Sequence, residues 1–311
     1  MLINKRRIKK AMRSPLGALI LTFGYEKFKW VNDKLYLKIM FKYYLGHTLN
    51  LDNPTSYNEK LQWIKLYDRN PIYVKYVDKV AVRDFIANTL GDEYLIPLIG
   101  VWETPDEIDF ATLPRQFVLK CNHNSGTGMC ICKDKFSISE EKVKEDLHKG
   151  LKEDYFYFGR EWPYKFVKRK IICEQFMVDE SGTELKDYKV MCFNGEPKLI
   201  ELHMGRFTDH QTQDFYDTNW NKTDITQGGI SVYGTSTSDV PKPDTLDKML
   251  EFSRILSKNI PHVRIDWYSI NGRLYFGEMT FFDGSGFDPY DRYEDDLLLG
   301  SWINLPKEKR V

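Results

Sequence analysis

Apolar and polar residues alternate in two neighbouring stretches near the carboxyl-terminal end of the chain, and this period of two predicts β-strands. The strands run over residues 263–267 and 276–280, and Asn271-Gly272 between them favours a tight hairpin turn. Further strands are predicted over residues 117–120, 129–132, 170–178, 185–193 and 197–203, and residues 94–101 are predicted to form a strand and a turn around Pro97. Asn194-Gly195 is a second hairpin turn, and Ser181-Gly182 is another turn. Hairpin connections favour antiparallel sheets.

A different spacing, with apolar residues three or four apart, predicts helices. Ser56 and Glu59 have the spacing of a capping box, and Leu61 and Ile64 give the helix behind them an apolar face. A second helix is expected from about Asp78 to Gly91. Helices are also predicted over residues 1–51, over residues 139–151 and after Pro243, the last with Leu246, Met249, Leu250 and Leu256 on one face. The pattern as a whole predicts a mixed α+β fold with mainly antiparallel sheets.

Composition is typical of a soluble globular protein, with 42% hydrophobic and 29% charged residues in a chain of 311. The formal net charge is zero, so nothing draws the whole chain towards nucleic acid, and no nucleic-acid partner is expected. Five cysteines are an odd number and lie mostly in apolar stretches, which favours reduced thiols in a cytoplasmic protein. Cys121, His123, Cys130 and Cys132 lack the spacing of a zinc motif, so buried thiols are the favoured interpretation.

The amino-terminal segment is locally basic. Six Lys and Arg residues between positions 5 and 13 precede an apolar run over residues 16–23, which is too short to span a bilayer. Two interpretations stay open. The segment rests on the inner face of the membrane as a peripheral contact, or it is a solvated helix that packs on the rest of the protein.

Two acidic residues stand among apolar neighbours on the strands of the last hairpin, Asp266 on the first and Glu278 on the second. Burying two carboxylates side by side costs free energy unless a cation lies between them. Mg²⁺ accepts one or two carboxylates together with substrate phosphates. Arg264 projects to the same face as Asp266, because alternate strand residues share a face. The alternative is a hairpin whose acids are solvated on one side.

A glycine-rich loop over residues 122–128 follows Lys120, which ends an apolar strand. Such a loop lets backbone N–H groups approach phosphate oxygens, and the lysine adds positive charge. The alternative is a simple hairpin turn, since the sequence has no Walker A motif. Glu174, Gln175 and Phe176 end the next strand, where backbone groups can pair with an adenine edge, although core strands have the same pattern. Asp187 and Lys189 share one face of a strand, two residues apart. The alternative is that they form an ordinary cross-strand salt bridge.

Taken in order, these groups resemble the ATP-grasp superfamily, and more narrowly its teichuronopeptide-biosynthesis (TupA-like) branch. The resemblance covers roughly residues 53–301 and is carried by YNEKLQW at 57–63, LYDRNP at 66–71, VDKVAVR at 77–83, YLIPL at 94–98, FVLKCNH at 117–123 and DYK at 187–189. It implies two α+β subdomains that grip ATP. Residues 1–52 would be a basic helical extension and residues 53–311 the ATP-grasp domain, divided into 53–115 (helical and strand part), 116–182 (nucleotide lid) and 183–311 (metal and catalytic part).

The resemblance also implies roles for individual residues. Expected nucleotide contacts are Lys79, Lys120, Ser125, Gly126, Thr127 and Gly128 at the phosphates, Glu174, Gln175 and Phe176 at adenine, Glu180 or a nearby acid at the ribose, and Asp187. Expected Mg²⁺ ligands are Asp266, Glu278 and Thr280; many ATP-grasp enzymes have asparagine at the last position, and a threonine oxygen is a weaker ligand. Expected catalytic groups are Arg264, Lys189 and Ser285. Expected substrate contacts are His203, Arg206, His210, Gly284 and Gly286.

The activity that the resemblance implies is an ADP-forming carboxylate–amine ligase, which uses ATP and Mg²⁺ and forms an acylphosphate. Its partners would be an amine or amino acid and an acidic sugar or polysaccharide precursor of a bacterial capsule, O-antigen or cell wall. Two alternatives stay open. A glycosyltransferase of the same pathway commonly carries an Asp-x-Asp motif, which this sequence lacks. A non-catalytic ATP- or glycan-binding protein has little need for paired acids.

Overall fold

A computed structural model of the chain describes residues 2–180, 182, 185–205, 211–228, 233–237 and 239–310. The helices are α1 (Leu2–Arg13), α2 (Pro15–Phe23), α3 (Asp33–Leu45), α4 (Tyr57–Tyr67), α5 (Ile72–Val77), α6 (Val82–Thr89), α7 (Glu140–Lys152), α8 (Phe156–Gly159), α9 (Leu246–Leu256) and α10 (Tyr293–Ser301). The strands are β1 (Leu98–Trp102), β2 (Phe117–Cys121), β3 (Cys130–Cys132), β4 (Ile171–Gln175), β5 (Asp187–Phe193), β6 (Glu196–Met204), β7 (Thr212–Tyr216), β8 (His262–Ile270) and β9 (Arg273–Thr280).

The strands form two antiparallel sheets, with strand orders β1-β4-β2-β3 and β7-β6-β5-β8-β9. Both predicted hairpin turns are present. Asn194 and Gly195 have φ of 52° and 86°, and Asn271 and Gly272 have φ of 49° and 73°. Two successive positive φ angles suit the right-handed twist of a hairpin, and Asn-Gly adopts them at little cost. The prediction of a mixed fold with mainly antiparallel sheets is confirmed.

Each sheet has its own hydrophobic core. The larger core lies on the five-stranded sheet and includes Phe41 of α3, Tyr57 of α4 and Trp267 of β8. The smaller core lies under the four-stranded sheet, where Phe117 and Leu119 of β2 point inwards as the period of two predicts. α4 begins with the predicted capping box, in which the hydroxyl of Ser56 accepts from the backbone N–H of Glu59.

The predicted helical segment over residues 1–51 contains α1, α2 and α3. α3 packs on the rest of the protein, because Tyr36, Leu37 and Phe41 are buried in the larger core and the hydroxyl of Tyr36 donates to Phe158 O over 2.9 Å. Ile20 of α2 is buried as well. The packing interpretation therefore holds for α3 and for one face of α2, while the domain boundary at residue 52 stays a prediction.

Some element predictions are wrong. The helix expected from Asp78 begins at Val82, because α5 ends at Val77 and the carboxylate of Asp78 accepts from the N–H of Val80 over 2.9 Å, which fixes a turn. The strand expected from residue 94 begins at Leu98, after Pro97, which has no N–H to donate. Strand β7 and helix α10 were not predicted. Ser181 lies outside the described residues, and the five cysteines are free, as expected.

Candidate active site

A cavity of about 440 Å³ lies between the two sheets. The four-stranded sheet contributes Val118, Cys121 and Ile131 to its apolar wall, and β5, β8 and β9 contribute the carboxylates of Asp187, Asp266 and Glu278. The predicted site residues that line it are Lys79, Lys120, Ser125, Gly126, Thr127, Glu174, Gln175, Phe176, Asp187, Asp266 and Glu278. Residues far apart in the sequence thus meet in one concave space, which is where a ligand is expected to bind.

Asp266 and Glu278 are cross-strand neighbours at this cavity. The next pair in the ladder is Trp267 with Phe276, so Gly277 is an extra residue that forms a β-bulge. A side chain at Gly277 would come within 3.0 Å of the Asp266 carbonyl oxygen, and glycine therefore permits the close approach of the strands. Asp266 is buried, whereas 39% of the Glu278 side chain is exposed. Glu278 is consequently the more accessible carboxylate.

The buried charge of Asp266 is balanced by Arg264. Its Nε and one Nη each donate to a carboxylate oxygen of Asp266 over 2.7 Å, and its other Nη donates to Asp283. Burial raises the pKa of Asp266 to about 7, against the opposing effect of Arg264. The alternative of acids solvated on one face is wrong for Asp266. The predicted same-face placement of Arg264 and Asp266 is confirmed, but the guanidinium is occupied by carboxylates and does not line the cavity.

Glu278 lies among cations. Its Oε2 is 3.5 Å from Lys79 Nζ, and its Oε1 is 3.7 Å from an Nη of Arg264. Burial raises the pKa of Glu278, but the positive charges of Lys79, Arg264 and Lys120 outweigh this effect and hold it at about 2. The carboxylate is therefore ionised across the physiological range of pH.

The two predicted phosphate-binding lysines differ in their partners. Lys79 Nζ donates to Asn124 O over 2.9 Å, so it ties the glycine-rich loop to the turn between α5 and α6. Lys120 Nζ is 2.7 Å from a carboxylate oxygen of Glu174, whose other oxygen accepts from Arg83 over 2.9 Å. The Glu174 carboxylate is thus neutralised by two cations.

The glycine-rich loop faces the cavity only in part. Gly126 has a φ of 87° and open space around it. Gly128 also has a positive φ, but a side chain there would come within 2.9 Å of Gly150 Cα and 3.0 Å of Cys121 Sγ. Gly128 therefore packs on α7 and does not line the cavity, contrary to the expectation that it contacts phosphates.

We expect Gly150→Ala to destabilise the protein by about 1–3 kcal/mol, because overpacking has costs of that size. At an unconstrained helical glycine the same change stabilises by about 0.4–1 kcal/mol. Here the new methyl would lie 2.7 Å from Cys121 Sγ and 2.8 Å from Gly128 Cα. Urea denaturation measures the effect, with the exposed Lys149→Ala as control. A stabilised Gly150→Ala variant would contradict the tight packing of α7 on the loop.

The turn over Gly284, Ser285 and Gly286 lies outside the cavity lining. Its φ angles of 50°, 55° and 60° are all in the left-handed region, which is unusual for serine. The Ser285 hydroxyl donates to Glu161, and its carbonyl accepts from Lys65 Nζ over 2.6 Å. Burial lowers the pKa of Lys65 to about 7. The turn is thus held by a buried polar network, and its predicted contact with substrate stays a prediction.

The remaining predicted residues do not line the cavity. Lys189 lies 4.0 Å from Glu201, which is also hydrogen-bonded to His203. Thr280 accepts from Arg264 over 3.3 Å. Glu180 is exposed and pairs with Lys186, and the expected ribose contact of Glu180 or a nearby acid stays a prediction. Arg206 and His210 lie outside the described residues.

Several lining residues were not predicted from the sequence, namely Val118, Met129, Ile131, Leu185 and Tyr268. The alternation of side chains along a strand could have indicated some of them. Tyr268 is two residues after Asp266 on the same face of β8, and Ile131 is two residues after Met129. Arg83 was also missed, although it comes four residues after Lys79, the spacing of one helical turn.

The carboxylates of the cavity are candidate ligands of a magnesium ion. Among the described residues there is no group of three or more His, Cys, Asp or Glu side chains that could hold a metal ion. Two neighbouring carboxylates, one of them accessible from the cavity, do fit Mg²⁺ that binds together with phosphates, because this ion usually takes one or two carboxylates and completes its shell with phosphate oxygens and water.

A family model described as TupA-like ATPgrasp matches residues 59–304. A comparison with curated proteins finds no match. The chain is similar to a D-alanine-D-alanine ligase structure from Helicobacter pylori at 14% identity, with 80% of this chain and 70% of that chain covered and a TM-score of 0.42.

Two further structures are similar to the chain. An ATP complex of D-alanine–D-alanine ligase from Bacillus anthracis is 12% identical, with 67% of this chain and 54% of that chain covered and a TM-score of 0.37. Phosphoribosylamine–glycine ligase from Thermotoga maritima is 17% identical, with 67% and 48% covered and a TM-score of 0.40. The chain therefore spans about half the length of each of these two proteins.

Proposed function

The chain belongs to the TupA-like ATP-grasp family, because the family model covers most of its length, and on this premise we propose that it is an ATP-dependent carboxylate–amine ligase. The match confirms the family and the α+β ATP-grasp fold that the sequence strings predict. The observation that carries the proposal is the cavity between the sheets, in which Lys79, Lys120, Asp266 and Glu278 lie together. Cations and acids gathered in one cleft suit the phosphates and metal of a nucleotide.

ATP would bind with its base against the four-stranded sheet. Val118, Ile131 and Met177 offer apolar contacts, and backbone groups just after β4, at Phe176 and Met177, would hydrogen-bond the base. Lys79 and Lys120 would contact the phosphates, and Gly126, with open space around its α-carbon, would allow the loop to approach them. Ser125 and Thr127, on either side of Gly126, also line the cavity.

Asp266 and Glu278 would hold Mg²⁺ with the nucleotide, and Thr280 stays a predicted third ligand. The ion supplies Lewis-acid polarisation of the phosphate oxygens when it is bound. The protein's own part is to hold Asp266 in place and to keep Glu278 ionised. Arg264 orients Asp266 through two hydrogen bonds, and the cations around Glu278 keep its carboxylate charged.

The proposed reaction has two steps. A substrate carboxylate oxygen attacks the γ-phosphorus of ATP, and the bond from that phosphorus to the β,γ-bridging oxygen breaks, so ADP leaves with the electron pair. An amine nitrogen then attacks the acyl carbon of the acylphosphate, phosphate leaves, and the nitrogen loses a proton to give the amide. Lys79 and Lys120 stabilise the charge on the transferring group. The sheets exclude water from the acylphosphate.

For the substrates we propose an amine or amino acid and an acidic sugar of a bacterial capsule, O-antigen or cell-wall polysaccharide. The family context supports this choice. Coupled assays of ADP release with pairs of uronic acids and amino acids test it. Turnover of nucleotide sugars without ADP release would favour the glycosyltransferase alternative.

We expect Lys120→Met to raise the Kd for MgATP by at least about tenfold, the effect of losing roughly 1.4 kcal/mol of binding. The lysine lines the cavity, and its positive charge is not replaced by methionine. Titration calorimetry gives the Kd. Lys168→Met is the matched control, because this lysine is exposed and pairs with Glu103 away from the cavity. Equal Kd values for wild type and Lys120→Met would remove Lys120 from the nucleotide site.

A further inference from the structure

Helix α2 has one buried face and one exposed apolar face. Gly17 and Ile20 are buried, and a side chain at Gly17 would come within 2.7 Å of Tyr43 Cβ of α3. Leu16, Leu19 and Phe23 follow a spacing of three and four residues on another face, where they are 60%, 44% and 54% exposed. These three side chains form what we call the α2 surface. Soluble monomeric proteins rarely expose such a row of large apolar side chains, and an exposed row of this kind commonly marks an interaction site.

The chain around the α2 surface is strongly basic. Residues 1–25 contain six Lys or Arg residues and no acid, while the whole chain has 45 of each sign, so residues 26–311 carry an excess of acid. Arg7, Lys9 and Arg13 of α1 are exposed, and Lys27 Nζ lies 5.9 Å from the centre of the Phe23 ring. Lys27 therefore lies beside Phe23, and α1, which ends two residues before α2 begins, adds further exposed cations.

We propose that the α2 surface and the cations of α1 dock the protein on an anionic lipid bilayer. Stable peripheral binding needs two signals, apolar insertion and electrostatic attraction, and this segment has both. In the described part of the chain no helix is long and apolar enough to cross a membrane. The apolar side chains enter the boundary between headgroups and acyl chains, and the cations contact lipid phosphates.

The basic charge of residues 1–25 favours an anionic bilayer over a second copy of the chain as the partner of the α2 surface. Two copies that met through this surface would bring two basic segments of six Lys or Arg residues together, and their repulsion opposes a dimer. An anionic bilayer instead attracts the same charge. A bilayer also covers an exposed apolar row without a complementary groove, which a protein partner would have to supply.

Flotation of the full chain with lipid vesicles tests the proposal. Wild type is expected to float with vesicles that contain phosphatidylglycerol and to stay behind with pure phosphatidylcholine. The Leu19→Ser/Phe23→Ser variant is expected to bind the anionic vesicles at least tenfold less. Phe136→Ser is the matched control, because Phe136 is 81% exposed elsewhere and its loss should change nothing. All variants should bind MgATP equally, which separates this surface from the nucleotide site.

Two outcomes would overturn the proposal. One is equal binding of the Leu19→Ser/Phe23→Ser variant and wild type to anionic vesicles. The other is a wild-type dimer in light scattering that the same double substitution converts to a monomer, with no binding to vesicles, since the surface would then join two copies of the chain. Loss of binding to anionic vesicles at high salt would support the electrostatic part, because surface charges are screened there.

Discussion

Replacement of Arg264 by methionine is expected to lower the free energy of unfolding by about 3–5 kcal/mol, the cost of breaking a buried ion pair by removing one partner. Arg264 is buried and hydrogen-bonded to two carboxylates, those of Asp266 and Asp283. Without the guanidinium both acids would be left in a low-dielectric environment, where they must lose their charge or draw in water. Methionine keeps the volume of the aliphatic part of the arginine side chain, so the substitution mainly removes the buried guanidinium.

Chemical denaturation of the Arg264→Met variant measures this loss. Arg254→Met is the matched control, because Arg254 forms a 2.8 Å ion pair with Glu196 and both side chains are more than half exposed. An exposed pair is worth about 0–1 kcal/mol. A loss in Arg264→Met no larger than that of the control would show that Asp266 and Asp283 do not depend on Arg264 for their charge balance.

The second large effect is expected from Glu278→Gln, which should reduce kcat for substrate-dependent ADP release by about 10²–10³-fold, as is typical when one preorganised electrostatic group is removed. Glutamine has the size of glutamate but no charge, so the fold should be kept. The neutral amide of glutamine would no longer form an ion pair with Lys79 or attract Mg²⁺. The activity should fall because the proposed reaction needs both Lys79 and Mg²⁺ at the phosphates.

Glu196→Gln provides the matched control for Glu278→Gln, since Glu196 is exposed and lies outside the cavity lining. Steady-state assays at saturating MgATP give kcat for each variant, and a thermal scan confirms that each is folded. Full activity of a folded Glu278→Gln variant would exclude Glu278 as a metal ligand and would favour a non-catalytic role for the cavity.

Much of the fold was predictable because local rules determine it. Asn194-Gly195 and Asn271-Gly272 specify hairpin turns, and Ser56 with Glu59 specifies a helix start, whatever the rest of the chain does. The start of α6 was misplaced for the opposite reason. The apolar spacing continues through Asp78, and only the hydrogen bonds of this aspartate to Val80 and Asn122 show that the chain turns there.

The site was predictable where one strand carries the signal. Asp266 and Glu278 were found from their apolar neighbours, and the hairpin register brings them together. The pairs of Glu278 with Lys79 and of Arg264 with Asp283 join distant parts of the chain, and no local pattern encodes them. Gly128 faces α7 because of its packing against Gly150, which the sequence of the loop alone does not reveal.

The most direct test of the account is ADP release from MgATP by the wild-type protein in the presence of paired acidic sugars and amines, with the products followed by mass spectrometry. The account predicts that one pair stimulates ADP release and that an amide forms in equal amount, with both lost in Glu278→Gln. A protein that does not bind MgATP, or that releases ADP without forming an amide with any pair, would contradict it.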